Sequence, residues 1–275
     1  MGLSPGHWLT PDITSLTRTS PGSQKTRGFA LVKTEISMSK KALIVMLGVN
    51  GALSSSVIKK LSRRKSVDII GFDVQEGTDL PVTEYHRCDL RSREDIKRAL
   101  ALIDCQDYNT VRLLICASVM NRFSVTADEL DEDMFYEEML VNLTGPGYFA
   151  TALARRCIAQ GARARIVFVG STGAYVGSND ASYAAAKAGL DGLSRSLSKY
   201  LAPRGVTSFV VHTGIFDSAM SAEVSAERQA KTIGMTHVKR KGTVEEIRDF
   251  VLFYLLTAPD FATGDVVEIN GGQHS

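Results

Sequence analysis

From Lys40 onward the chain alternates short apolar runs with longer helical ones, and no other feature limits its fold as tightly. The short runs cover 42–47, 67–72, 111–117, 166–170, 207–212 and 266–269. Between and beside them, 53–61, 96–103, 134–159, 181–201 and 244–256 carry helical patterns. Strands that alternate with helices pair in parallel through right-handed crossovers. The run Ala-Leu-Ile-Val-Met-Leu at 42–47 is apolar at every position. That suits a strand covered by helices on both faces. The expected fold class is α/β, a single doubly wound parallel sheet with its ligands at the carboxyl ends of the strands. With 275 residues, 44% of them hydrophobic and 23% charged, the chain is large enough to bury such a core.

Charge and composition exclude several classes. A net charge of +2 makes no electrostatic case for nucleic acid or an anionic membrane surface. No stretch approaches 18 consecutive apolar residues, so no transmembrane helix is expected. Cys88, Cys105, Cys116 and Cys157 are scattered, with no Cys-x-x-Cys pair. They read as free thiols of a reducing, cytoplasmic compartment, implying neither metal nor disulfide. Residues 1–37 hold three of the seven prolines and show no sustained periodicity. Their one apolar run, 29–32, is too short for a signal-peptide core. Gly6 stands where a myristoylation pattern needs Ser or Thr. Basic residues outnumber acidic ones there, so a transit peptide is one reading. The expectation is a disordered leader, with 38–275 forming one nucleotide-binding catalytic domain.

The first strand runs into Gly48-Val-Asn50-Gly51-Ala-Leu53-Ser54, ahead of a helical pattern. Glycines in such a loop allow a tight turn and a close approach of backbone to a pyrophosphate, which rests on the helix N-terminus. Gly48, Asn50, Gly51 and Leu53 are the expected contacts. The second strand ends at Asp73, some 20 residues on, where a carboxylate can accept both hydroxyls of an adenosine ribose. Asp73 is otherwise a strand-end turn residue. Asp89 and Leu90 follow the third strand. Asp89 either accepts from an adenine amino group or caps the helix that begins near Ser92.

Near mid-chain stands Tyr183-Ala-Ala-Ala-Lys187. Positions i and i+4 share one helix face, so a helix from Asp180 stacks phenol and amine side by side. A free phenol, with pKa about 10, is a poor base at neutral pH. A neighbouring ammonium favours the phenolate, and the pair can then exchange a proton near neutrality. Ser171, twelve residues upstream, supplies a hydroxyl at a strand end. Asn142 lies inside an otherwise apolar helical run, where Asn is a poor fit unless its amide has a partner.

In order and spacing, Asn142, Ser171, Tyr183 and Lys187 resemble the site of the short-chain dehydrogenase/reductase superfamily. Asp73, the Asp89-Leu90 pair, 201–205, 240–247 and the closing 263–272 are similar to the family as well. The resemblance spans about 40–272. It implies a Rossmann-like fold and hydride transfer between NAD and a small carbonyl compound or alcohol. Tyr183 would be the general acid/base and Ser171 the holder of the substrate oxygen. Lys187 would bind the nicotinamide ribose and lower the Tyr183 pKa. Asn142 would hold a water linking Lys187 to solvent. Cys116, Ala117, Ser118, Thr213, Gly214, Ile215 and Ser218 would complete the cofactor contacts. Members are commonly homodimers or homotetramers, and Gly189 and Gly192 would permit close approach of helices between subunits.

The chain departs from the family pattern at several places. The family's Gly-x-x-x-Gly-x-Gly corresponds here to Gly48, Ala52 and Ser54, and its Asn-Asn-Ala-Gly to Ile115, Cys116, Ala117 and Ser118. Its Pro-Gly is Thr213-Gly214, and the Ser171-to-Tyr183 gap is one residue shorter than is usual. Two other functions share the fold: a nucleotide-binding sensor without turnover, and a cofactor-free lyase. Residues 215–241 are expected to form a flap over the site, with Phe216 and Met220 among its apolar residues.

Overall fold

The structure, a computed structural model, describes residues 41–64, 66–120 and 131–273. The leader expected over 1–37 lies outside the described residues. Among the described residues seven strands form one sheet: β1 (Ala42–Leu47), β2 (Val67–Asp73), β3 (Glu84–Arg87), β4 (Thr110–Ile115), β5 (Arg163–Ser171), β6 (Val206–Thr213) and β7 (Val266–Ile269). Their order is β3-β2-β1-β4-β5-β6-β7, and every pair is parallel. The winding direction reverses between β1 and β4. A crevice opens at the carboxyl ends of strands at such a reversal.

The helices are α1 (Ala52–Leu61), α2 (Arg93–Ala101), α3 (Glu132–Met139), α4 (Gly145–Ala159), α5 (Gly173–Val176), α6 (Ala181–Leu201), α7 (Ala219–Ala222), α8 (Ala226–Met235) and α9 (Val244–Leu256). Alternation along β1 divides the core in two. Leu43, Val45 and Leu47 pack with Ile96, Phe149, Leu153 and Leu190, contributed by α2, α4 and α6. Ile44 and Met46 pack on the other face with Val57, Ile58, Val251 and Leu255, from α1 and α9. Both faces are thus buried, which is why the strand carries no polar residue.

The helix expected over 134–159 is two helices with a π turn, Leu140–Thr144, between them. Pro146 has no N–H to give the Asn142 carbonyl, so the α-helical ladder fails there. The Gly145 N–H instead reaches five residues back to the Leu140 carbonyl. Gly145 also packs against the Leu90 carbonyl, where a Cβ would come within 2.3 Å. Gly189, expected to serve contact between subunits, faces Leu143 of its own chain, 2.7 Å from where its Cβ would stand. Gly192 has open space around it.

Candidate active site

The loop after β1 and the segment after β4 meet at the strand reversal. Gly48 has φ +80°, and a Cβ there would lie 2.6 Å from the Ala117 nitrogen. Only glycine combines that backbone angle with that contact. Gly51 is the N-cap of α1 and offers no side-chain cap, so the first N–H groups of the helix remain for a ligand. Ser54, which replaces a glycine of the family pattern, is fully buried beside the Cys116 thiol. Burial pushes that thiol up to about 11.

A cleft of about 520 Å³ runs outward from this point, lined by Gly48, Asn50, Gly51, Asp73, Asp89 and Leu90 among others. Cys116, Ala117 and Ser118 form its inner wall. Asp73 Oδ2 accepts from Asn50 N at 3.0 Å and Oδ1 from Gln75 N at 3.2 Å. The Asn50 amide turns away, donating to Gln75 Oε1 and the Gly77 carbonyl, both at 3.1 Å. The cap of α2 is Ser92, which accepts from Asp95 N. Asp89 instead accepts from Arg91, backbone and guanidinium alike, and this holds its carboxyl below the ordinary range. Arg91 also pairs with Glu137 at 3.2 Å. It is the one cation lining the cleft among the described residues, and the sequence offered only its place two residues past Asp89 as a signal.

A smaller cavity of about 180 Å³ continues inward past Gly51, Leu53, Cys116 and Ser118. It is closed by Tyr183, Lys187, Thr213, Phe216, Ser218 and Met220. Asp180 caps α6 and takes the Tyr183 N–H at 2.8 Å, which fixes the phenol at the first turn. One turn on, Lys187 Nζ donates to the Val169 carbonyl at 3.1 Å and stands 5.5 Å from the Tyr183 ring centroid. Burial lowers the Lys187 ammonium to about 8. Burial also raises the Tyr183 phenol, while hydrogen bonds with Ser171 and Ser118 pull it back down. The phenol therefore stands above its ordinary value, opposite to the shift that a lysine neighbour led us to expect.

Asn142 is buried, and its amide is spent on the chain that leaves β4. Oδ1 accepts from Ser118 Oγ at 3.0 Å and Val119 N at 3.1 Å, and Nδ2 donates to the Val119 carbonyl at 2.8 Å. Ser118 thereby links Asn142 to Tyr183. Ser218 caps α7 in a capping box with Ser221. Gly214 and Ile215 do not line either of these cavities, although the flanking Thr213 and Phe216 line the inner one. Gly214 packs on Asn270, and Ile215 lines a separate cavity with Val238 and Phe250. The glycine cradle, the uncapped helix start and the strand-end carboxylate together fit a dinucleotide.

A family model described as enoyl-(acyl carrier protein) reductase matches residues 42–274. The chain is 29% identical over 252 residues to a 3-oxoacyl-[acyl-carrier-protein] reductase of Aquifex aeolicus, covering 90% of this chain and 93% of that one. It is 31% identical over 186 residues to the corresponding reductase of Mycobacterium avium, covering 67% and 72%. In structure it is similar to a 4-hydroxyisoleucine dehydrogenase complexed with NADH, TM-score 0.76 at 21% identity, covering 85% and 99%. An actinorhodin polyketide ketoreductase with NADPH gives a TM-score of 0.73 at 20% identity, covering 85% and 97%. At such identities the two solved structures show the fold alone. The family match and the curated relatives show more: the chain belongs to the short-chain dehydrogenase/reductase superfamily of oxidoreductases.

Proposed function

We propose that this oxidoreductase moves a hydride between NAD(H) and a small carbonyl compound or secondary alcohol, with Tyr183 as general acid/base. The observation that carries the reading is the convergence of Tyr183, Ser171 and Lys187 at the inner end of a cleft built on Gly48. A bound nicotinamide would supply the hydride. The rest falls to the chain's own side chains. Burial keeps the phenol protonated at neutral pH, the state a general acid needs to protonate a carbonyl oxygen. Ser171 Oγ accepts from Gly173 N at 3.2 Å, and its hydroxyl, which bonds the Tyr183 phenol here, can turn its proton to the same oxygen. Lys187, still charged below about pH 8, is available to ribose hydroxyls. Asn142 holds the 118–119 wall of the site in place. Two hydroxyls aimed at one oxygen suit a C=O group better than an isolated C=C.

Asp73 supports NAD over NADP. Its carboxylate accepts one backbone N–H on each oxygen and keeps acceptor capacity for two hydroxyls. A 2′-phosphate would face that negative charge, and the cation in the cleft, Arg91, is already paired with Asp89 and Glu137. The names of the curated relatives make a 3-oxoacyl thioester the first substrate to try. Phe216 and Met220 give the inner cavity an adaptable apolar wall for it. The reading extends to a cytoplasmic homodimer or homotetramer.

The test is NADH and NADPH fluorescence on mixing, followed by turnover of a ketone panel that includes a 3-oxoacyl thioester. Hydride transfer with NADH is the expected result. Cofactor binding without turnover of any ketone would favour the sensor reading, and no binding would favour the cofactor-free lyase.

A further inference from the structure

His212, at the carboxyl end of β6, has no solvent exposure and no part in the chemistry above. Its ring lies on Gly170, its register partner on β5, where a Cβ would stand 2.3 Å from Nδ1. That glycine is what admits the ring. Nε2 is 2.7 Å from Asp191 Oδ1. The Tyr175 hydroxyl donates to Asp191 Oδ2 at 3.3 Å, and the Tyr175 ring packs edge-on against the imidazole at 4.9 Å. Nδ1 lies 2.9 Å from Ser171 N and 2.8 Å from Ser171 O.

One ring nitrogen cannot serve both atoms. A neutral ring protonated on Nε2 accepts from the Ser171 N–H. A charged ring donates Nδ1–H to the Ser171 carbonyl. Asp191 accepts from Nε2–H in both states. We propose that His212, held by Asp191, is a positioning residue for Ser171, and that its ring charge selects which backbone atom of Ser171 is tethered. A change of ring charge would then move the tether of the peptide on which Ser171 Oγ rides from one atom to the other, without involving the Tyr183 phenol. This rests on the reading of Ser171 as the group that holds the substrate oxygen.

The charged and titratable groups around the ring come from each neighbouring element. Among the described residues they are Asp191 on α6 and Tyr175 on α5, which touch the ring, Glu268 of β7, which pairs in register with His212, and Arg195 on α6, which with Asp191 and Glu268 acts on the Tyr175 hydroxyl. Glu268 itself accepts from Asn270 Nδ2 at 2.6 Å. β5 presents Gly170 and the Ser171 backbone.

Asp191→Asn keeps the shape and removes the carboxylate. We expect kcat/KM for an accepted ketone to fall about tenfold, or about 1.4 kcal/mol, with NADH affinity unchanged and the pH profile shifted. An unshifted profile would overturn the proposal. In the unmodified protein, ¹⁵N NMR should find His212, assigned through His212→Asn, passing from the Nε2–H tautomer to the charged ring as pH falls. The Ser171 amide signal should move with it. A His212 that keeps one protonation state from about pH 5 to 8, or a Ser171 amide indifferent to its change, would also overturn the proposal. The NMR arm stands even if no ketone is turned over, so failure of the enzymatic reading is seen separately.

Discussion

Lys187 stands over the face of the Tyr183 ring, its Nζ 5.5 Å from the centroid, and gives a hydrogen bond to the Val169 carbonyl. Burial works against the charged form of each: the ammonium is lowered to about 8 and the phenol is raised. The lysine leaves a mark on stability. Between about 8 and the ordinary 10.5, the unfolded chain holds a proton that the folded chain lacks. The unfavourable contribution is therefore complete below about pH 8 and fades as pH rises through that window. Lys187→Met should raise the melting temperature of the cofactor-free protein at pH 7, and the gain over the parent should shrink by pH 10. Thermal denaturation across that range checks it; a gain that grows with pH would contradict the shift.

Tyr183→Phe keeps the ring and removes the acid. Turnover should fall at least about 100-fold while NADH binding persists, read by steady-state rates and cofactor fluorescence. Near-normal turnover would remove Tyr183 from the mechanism.

Gly48→Ala places a methyl 2.6 Å from the Ala117 nitrogen at a backbone angle that strains any L-residue. NADH affinity should drop at least tenfold, about 1.4 kcal/mol, with a lower melting temperature. Titration by fluorescence would show an unchanged affinity if the loop does not cradle the cofactor.

Asp73→Ser should narrow the preference for NADH over NADPH, expected to be at least tenfold in kcat/KM, about 1.4 kcal/mol. It removes the charge that would repel a 2′-phosphate and weakens the hold on the ribose. Parallel kinetics with both cofactors decide the point. Equal or better use of NADPH by the parent would strip Asp73 of that role.

Asn142→Ala leaves the Val119 N–H and carbonyl and the Ser118 hydroxyl short of a partner. We expect about 1–3 kcal/mol of lost stability, measured by urea unfolding. A neutral outcome would mean that the 118–119 segment finds other partners.

Much of this was readable in the chain because its signals are local. The apolar strands, the strand-end Asp73 and the four-residue spacing of Tyr183 and Lys187 each lie within one element. What was missed depends on contacts between elements. A third strand is expected ahead of Asp89 but without bounds, because β3 reads Glu-Tyr-His-Arg and has no apolar run to mark it; a sheet-edge strand has one neighbour and little to bury. The raised phenol depends on burial, opposed by hydrogen bonds from Ser171 and Ser118 and reinforced by Asp180 and Glu138, groups that lie far apart in the sequence. Asp191 and His212 are 21 residues apart on different elements, and no periodicity joins them.

The π turn at 140–144 inserts one extra residue into what would be a continuous helix. A residue advances an α-helix by about 100°, so the turn works as an angular offset between two contact faces. Before it, Glu138 meets Ser182 at the start of the tyrosine helix. After it, Phe149, Ala150, Leu153 and Cys157 meet the sheet. Chain length here sets a rotation. Deleting a single residue from the turn would swing one of these faces by more than a quarter of a revolution and carry the Asn142 amide off the wall it holds.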